Sequence, residues 1–495
     1  MFAAAGVQDA ADEVPFGERV STLASTDPDG IGLTTVAPDG AERSLSWRQL
    51  ESGANRFGRE LLASGATHGS FVAIAIPNSA DLVLTVLGCW KIGAVPITVR
   101  WDLPQWELSR LIDAIDPAVV VDERNREMFT AGAAARSDDI LPQAVSPMVN
   151  GICSSGSTGL PKVILTTRPA MWTPQQSEPF MATWAPVPRP QTIMVPAPMY
   201  HTNGFNTLQH LLGGDRLVVL ERFDANLALS TIEKHRVTNF TATPTMLARM
   251  ARVPDVDERD LSSVVWILQG AAVMPPSLLH RWFDLLSPEK VVMAYGMTEN
   301  FGLAALRGDE WLRHPGSVGR GFRDTEIQIL DSDGRPVPAG ELGEIYLRAP
   351  MGATYRYIGG APQLPATPDG FHTGGDIGWL DSDGYLYVTD RRVDMIVTGG
   401  ANVYPAEVES ALAEHEDIAD VVVLGLRDPE WGRRVHAVVE LADPDRRLSE
   451  QDVIAYAKSK LASYKAPKTV EFITEIPRSA ATKVSRSAMV EARGG

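Results

Sequence analysis

The feature that most constrains the fold is an alternation of two hydrophobic periods along the first part of the chain. Trp47 to Gly65 repeats apolar residues at helical spacing, Phe71 to Ile76 is a short strand-like run, Leu82 to Ile92 reads as helix and Ala94 to Thr98 as strand. Strand and helix in regular succession bury their apolar faces only as a parallel sheet covered by helices. The pattern resumes after a Pro-rich passage from Pro169 to Pro198, with Leu217 to Leu220, Asn239 to Ala242 and Val264 to Gln269 as strands and Ala225 to His235 as a helix. Residues 320 to 390 change character. Short strands such as Thr325 to Leu330 and Leu342 to Leu347 are separated by Asp-Gly pairs at 333–334, 369–370 and 383–384, the signature of antiparallel hairpins. Beyond Asp390-Arg391-Arg392 the pattern is mixed, with helices at Ala406 to His415 and Glu450 to Leu461 and strands at Ile418 to Leu424 and Val435 to Leu441. A domain boundary is therefore expected near residue 392, giving a large domain of residues 1–391 and a small one of residues 392–495.

Composition narrows what such a fold does. The 495 residues are 44% hydrophobic, enough for sizeable cores and too many for a disordered chain. Lys and Arg number 45 against 62 Asp and Glu, a net charge of -17, which argues against nonspecific binding to nucleic acid or to an anionic membrane. Two cysteines, Cys89 and Cys153, exclude a disulfide framework or a zinc site. The segment Met1 to Val14 is Ala-rich and acidic without a basic stretch, so no secretory signal is expected there. The longest apolar run, Leu82 to Val99, carries Gly88, Lys91, Gly93 and Pro96 and reads as a buried helix, turn and strand, not a membrane span. A cytoplasmic protein, monomeric or homodimeric, is the expectation. Lysine is scarce, nine residues beside 36 arginines, and five of the nine fall in the last 38 positions. Another, Lys162, closes a Gly/Ser/Thr cluster.

That cluster is Ser154-Ser155-Gly156-Ser157-Thr158-Gly159-Leu160-Pro161-Lys162, directly after the apolar Gly151-Ile152-Cys153. Its glycines permit tight turns, its hydroxyls and backbone N–H groups can face an anion, and its Lys adds a point charge, a composition suited to a polyphosphate. It is not a Walker A loop, because Pro161 precedes the Lys where that pattern has Gly. Alone, the segment would read as an ordinary surface turn.

It is not alone. Downstream stand Met199-Tyr200-His201-Thr202-Asn203-Gly204, Gly270-Ala271-Ala272, Tyr295-Gly296-Met297-Thr298-Glu299, Thr373-Gly374-Gly375-Asp376, Asp390-Arg391, Gly399-Gly400-Ala401-Asn402-Val403-Tyr404-Pro405-Ala406-Glu407, and Pro477-Arg478-Ser479 leading to Lys483. In this order the motifs resemble the acyl-adenylate-forming superfamily of acyl-CoA synthetases, peptide-synthetase adenylation domains and luciferases, from about Leu45 to Ala492. The resemblance implies an α/β fold: a large N-terminal domain of two doubly wound α/β subdomains plus a distorted antiparallel β-barrel, then a small mobile α+β C-terminal domain. It also implies the reaction, in which a carboxylate attacks the α-phosphate of ATP, pyrophosphate leaves, and a thiol takes the acyl group.

The resemblance assigns roles residue by residue. Ser154 to Gly159 and Lys162 cradle the β- and γ-phosphates; Glu299 ligates Mg²⁺, a hard cation that prefers oxygen donors beside phosphates; Thr298 contacts the α-phosphate. Gly270, Ala271, Ala272, Tyr295, Gly296 and Met297 bound the adenine, Asp376 accepts from the ribose hydroxyls, and Arg391, fifteen residues on, adds donors. Lys483 bridges the carboxylate oxygen and the α-phosphoryl group. His201, Asn203, Gly204, Gly270, Asn300 and Gly302 line the acyl site, with His201 also counted among the catalytic residues. After adenylation the small domain rotates about the position of Val393 and presents Gly399-Gly400 to the adenylate, while Arg433, Arg434 and Lys465 contact coenzyme A.

The chain departs from the family at several points. Val163 and Thr482 stand where Gly is usual, Arg168 falls close to the usual His, and Val393 replaces the common Asp or Lys of the hinge. The expected activity is that of an acyl-CoA synthetase using ATP, Mg²⁺ and coenzyme A, on a bulky acid, aromatic or polycyclic, since small residues at 270 to 272 and 302 leave room. Trp172 and Trp184 are candidates for an apolar wall, although aromatics in such a segment more often pack. The rival acceptor is the phosphopantetheine thiol of an acyl carrier protein, and the alternative of another class is a noncatalytic nucleotide-binding regulator. An amino acid substrate is disfavoured, because no Asp near Met199 to Asn206 pairs an ammonium group.

Overall fold

The computed structural model describes residues 13–155, 161–359, 362–391, 395–398, 401–429, 431–443, 446–478 and 484–494. They form two compact units, one of residues 1–242, 255–267 and 354–363 and the other of residues 243–254, 268–353 and 364–495.

The first unit holds two groups of parallel strands. In one, Phe71–Ala75, Val95–Thr98, Val119–Asp122 and Asn150–Ser155 run parallel, and Pro161–Thr166 and Tyr355–Ile358 extend the sheet antiparallel. In the other, Ile31–Val36, Arg216–Leu220, Thr192–Val195 and Asn239–Ala242 are parallel, with Glu42–Ser46 on the edge. The helix Ala80–Ile92 is buried at every residue, because the side chains of its core come from both sheets and from the helix Trp47–Ala63. Ser79 caps its start by accepting from Leu82 N–H at 3.2 Å, and Gly93 ends it in the left-handed conformation, so the apolar run from 82 to 99 is the expected helix, turn and strand. Lys91 is tolerated inside it because its ammonium donates to Glu51 and Ser21, both at 2.7 Å. Burial still pulls Lys91 below the usual lysine range, against the attraction of Glu51. Cys89 lies in this helix and Cys153 in a strand; both are buried.

The second unit contains an open four-stranded antiparallel sheet, Glu326–Leu330, Gly343–Arg348, Asp376–Leu380 and Leu386–Arg391. Its turns are the anticipated Asp-Gly pairs, with Gly334, Gly370 and Gly384 at φ +76°, +87° and +80°. Asp381 accepts from the N–H groups of Asp383 and Tyr385, each at 2.9 Å, and so closes the last hairpin. Farther along the chain Ile418–Asp428 pairs antiparallel with Gly432–Leu441, and Thr469–Ile473 adds in parallel. The helices Pro405–Leu412 and Glu450–Lys460 cover this sheet over a core that includes Val408, Leu412, Val421, Val423, Val439 and Val453. Among the described residues no helix is long and apolar enough to cross a membrane.

Candidate active site

The described ends of the Gly/Ser/Thr cluster lie on two paired strands. Asn150–Ser155 and Pro161–Thr166 pair with Ser154 opposite Lys162 and Ser155 opposite Pro161, while Gly156, Ser157, Thr158 and Gly159 lie outside the described residues. Lys162 holds its ammonium 4.2 Å from the ring centre of Tyr357 on the neighbouring strand, a cation–π contact that keeps the charge at this end of the strand pair. Val163, where the family has Gly, is fully buried in the sheet's core. Burial depresses the Arg168 guanidinium below its ordinary value.

The candidate acyl segment is a tight turn. His201 N–H donates to Pro198 O at 3.1 Å, and Phe205 N–H returns to His201 O at 2.8 Å, starting the short helix Thr202–Phe205. A side chain at Gly204 would meet Pro198 O at 2.4 Å, so this position admits only Gly. His201 and Asn203 are half-buried. Tyr200 is 3% exposed, its ring 4.7 Å from that of His201; its hydroxyl has no hydrogen-bond partner among the described residues, and burial pushes its phenol up to about 12. Trp172 is a packing residue. Its indole N–H donates to Ser177 Oγ at 2.6 Å, Arg19 lies over its ring at 4.1 Å, and it rests on the main core. Trp184 is half-buried in the same irregular segment.

In the second unit the Tyr295–Glu299, Thr373–Asp376 and Asp390–Arg391 motifs meet. The Tyr295 hydroxyl donates to Asp376 Oδ2 at 2.6 Å. A side chain on Gly374 would strike Met297 at 2.2 Å, so the Thr373–Asp376 turn lies directly on the Tyr295–Glu299 motif. The turn is braced by Thr373, which donates to Glu344 Oε1 at 2.9 Å and accepts from Gly375 N–H at 3.0 Å. Asp376 and Arg391 are direct partners across the antiparallel pair, which explains their spacing: two strands and one hairpin turn separate them. Glu299 is 6% exposed, and Asn300 follows it at φ +52° in a turn closed by its N–H to Met297 O at 3.0 Å. No group of three or more His, Cys, Asp or Glu gathers for a metal among the described residues. A single buried carboxylate suits a Mg²⁺ that arrives with a triphosphate and keeps phosphate and water oxygens as its other ligands.

The Gly270–Ala272 segment is held by a residue that the motif reading omits. Gln269 donates from Nε2 to Ala272 O at 2.5 Å and Gly270 O at 3.4 Å, and Ala271 sits at φ +76°, a strained position for a residue with a Cβ. The small residues differ in what their size permits. A Cβ at Gly270 would have only Ala294 O near it, at 3.9 Å, whereas one at Gly302 would press on Leu347 and Thr325 at 2.7 and 2.9 Å. Gly302 is small because the backbone packs closely there. A polar residue ending an apolar strand was the available signal for Gln269.

Among the candidate coenzyme A contacts, Lys465 pairs with Glu407 at 2.5 Å, joining the 401–407 motif to the 464–468 segment. Arg434 donates to Arg427 O at 2.9 Å, and Arg433 is exposed. Lys468 lies 5.0 Å from the Trp431 ring centre. Val393, Gly399, Gly400, Thr482 and Lys483 fall outside the described residues.

Comparison with known proteins identifies the family of the chain. Residues 24–357 match the AMP-binding enzyme family and residues 407–483 the AMP-binding enzyme C-terminal domain. An indoleacetate–CoA ligase of Aromatoleum aromaticum is 32% identical over 482 residues, covering 90% of this chain and 92% of its own. A feruloyl-CoA synthase of an Amycolatopsis species is 31% identical over 463 residues, covering 89% and 92%. The o-succinylbenzoate CoA synthetase of Bacillus subtilis, solved with its acyl-adenylate intermediate, superposes with a TM-score of 0.81 at 26% identity, covering 96% of this chain and 98% of that one.

Proposed function

This chain belongs to the AMP-binding enzyme family, and from that premise we propose that it activates an aromatic or polycyclic carboxylic acid as the acyl-adenylate and transfers it to coenzyme A. It is an acid–thiol ligase of the AMP-forming type. The observation that carries the reading of the site is the junction of Tyr295 with Asp376, opposite Arg391, because it gathers three separated motifs around one carboxylate. A carboxylate with one oxygen already oriented is suited to accept from a ribose diol.

In the first half-reaction a carboxylate oxygen bonds to the α-phosphorus of ATP, the bond to the bridging oxygen breaks, and pyrophosphate leaves with the electron pair. Both reactants are anions, so catalysis rests on neutralising charge and fixing approach. We assign Ser154 to Gly159 and Lys162 to the β- and γ-phosphates, Thr298 to the α-phosphate, Asp376 and Arg391 to the ribose, and Gly270, Ala271, Ala272, Tyr295, Gly296 and Met297 to the adenine. Mg²⁺, held at Glu299 and by the phosphates, would supply the remaining positive charge. Lys483 stabilises the transition state from the C-terminal domain. In the second half-reaction a thiolate attacks the acyl carbon and AMP departs, after residues 392–495 have turned on Val393 to replace Lys483 by the Gly399-Gly400 segment. His201, Asn203, Gly204, Gly270, Asn300 and Gly302 face the acid, and Arg433, Arg434 and Lys465 the coenzyme A phosphates. We assign the reaction to the cytoplasm, where ATP and coenzyme A are supplied.

The aromatic preference is supported by the indoleacetate and ferulate named for two relatives and by the absence of any close neighbour to a Cβ at Gly270, where Ala294 O lies at 3.9 Å. The test is pyrophosphate release with a panel of acids, with and without coenzyme A. Indole-3-acetic, ferulic and 2-succinylbenzoic acids are expected to turn over well above acetate, with acyl-CoA formed when coenzyme A is present. Strong release with acetate and none with any ring-bearing acid defeats the reading; release without acyl-CoA points to a carrier-protein thiol.

A further inference from the structure

We propose that Asn78 is a positioning residue for the acyl site, clamping the backbone from which His201, Asn203 and Gly204 are presented. Asn78 is 6% exposed and lies just before the helix Ala80–Ile92. Three hydrogen bonds tie its side chain to this region. Its amide nitrogen donates to Ala197 O and to Leu220 O, both at 3.1 Å, and its oxygen accepts from Met199 N–H at 2.7 Å. The side chain thus holds the main chain on both sides of Pro198 and ties it to the end of the strand Arg216–Leu220.

Pro198 is the base of the candidate turn. Its carbonyl receives the N–H of His201 at 3.1 Å and presses against Gly204 closely enough to exclude a Cβ. Fixing residues 197 and 199 therefore fixes the direction in which the turn leaves the sheet. The clamp also stands beyond the carboxyl ends of Thr192–Val195 and Arg216–Leu220, two parallel neighbours, and in open α/β sheets that is the edge where ligands bind. No other side chain type supplies two donors and one acceptor in this compact planar form except the longer Gln. A misplacement of about 1 Å at such a site costs on the order of 100-fold in rate.

The inference rests on the acid-activating reading, and the test separates the two. Asn78→Ala removes both donors and the acceptor; Asn78→Ser, with one donor, replaces it if that variant does not fold. Kinetics with indole-3-acetic, ferulic and 2-succinylbenzoic acids are measured beside hydrogen exchange of the full chain. The expected result is a KM for acid raised about 10-fold or more with the KM for ATP within about 2-fold, since only the acyl segment is misplaced. Exchange should quicken at the amides of Met199 and His201 and not in the strands of the second unit. Equal changes in both KM values, unchanged acid KM, or unchanged exchange at 199 and 201 overturns the proposal. Should the wild type activate none of the acids, the functional reading falls, and unaltered protection at 199 and 201 would then still refute the clamp.

Discussion

The Tyr295 hydroxyl and Asp376 Oδ2 are 2.6 Å apart, a charge-assisted hydrogen bond linking residues 81 positions distant in the chain. It fixes the orientation of the Asp376 carboxylate at the start of the strand Asp376–Leu380. Tyr295→Phe removes the donor and keeps the ring. A hydrogen bond to a charged group contributes about 1.5–3 kcal/mol, so the KM for ATP should rise about 10-fold with the KM for acid unchanged. Pyrophosphate-exchange kinetics measure both constants, and a parallel rise in the acid KM would show that the bond serves the fold instead.

In the proposed mechanism Lys483 serves the first half-reaction and not the second. Lys483→Ala should abolish adenylate formation from acid and ATP while thioester formation from a presynthesised acyl-adenylate largely survives. Single-turnover assays of each step decide it; comparable loss of both contradicts rotation of the C-terminal domain.

Tyr200 carries a buried hydroxyl without a partner among the described residues. A buried polar group left unpaired costs about 1–3 kcal/mol, so Tyr200→Phe should stabilise the free protein. Thermal melting without substrates is expected to shift upward by about 1–2 °C. A lowered midpoint would mean that the hydroxyl has found an acceptor in solution.

Two imidazoles set an acid limit on stability. Burial lowers His372 and His436 below the usual 6.5, the latter despite Glu471 nearby. Between their folded values and 6.5 the unfolded chain binds more protons than the native one, so stability rises with pH across that window and is lost as pH falls through it. The melting temperature should decline from pH 6.5 downward, ahead of carboxylate protonation near about 4. His436→Gln should flatten that slope; an unchanged slope assigns the loss to other groups.

Much of the architecture was legible wherever one period dominated a segment. Ala225–His235 and Asn239–Ala242 coincide with their expected limits, because Asp224 caps the helix and a single apolar run defines the strand. Ile418–Asp428 extends four residues past the expected end, since Gly425 to Asp428 break the apolar run yet still find partners from Gly432 to Val435 across the hairpin. At the site, composition exposed the motifs themselves but not their supports. Asn78, Gln269 and Glu344 are polar residues whose meaning lies in contacts with distant backbone or side chains, which no periodicity encodes.

The three glycines at 204, 270 and 302 have unequal evolutionary freedom. Substitution at 204 collides with a carbonyl and at 302 with two side chains at φ +156°, whereas a Cβ at 270 meets only Ala294 O, at the ordinary contact distance of 3.9 Å. On the proposed assignment of Gly270 to the acid, selection for a smaller substrate has one inexpensive route among them, a side chain at 270, and repertoires built by randomising that codon alone should yield folded enzymes with narrowed acid preference.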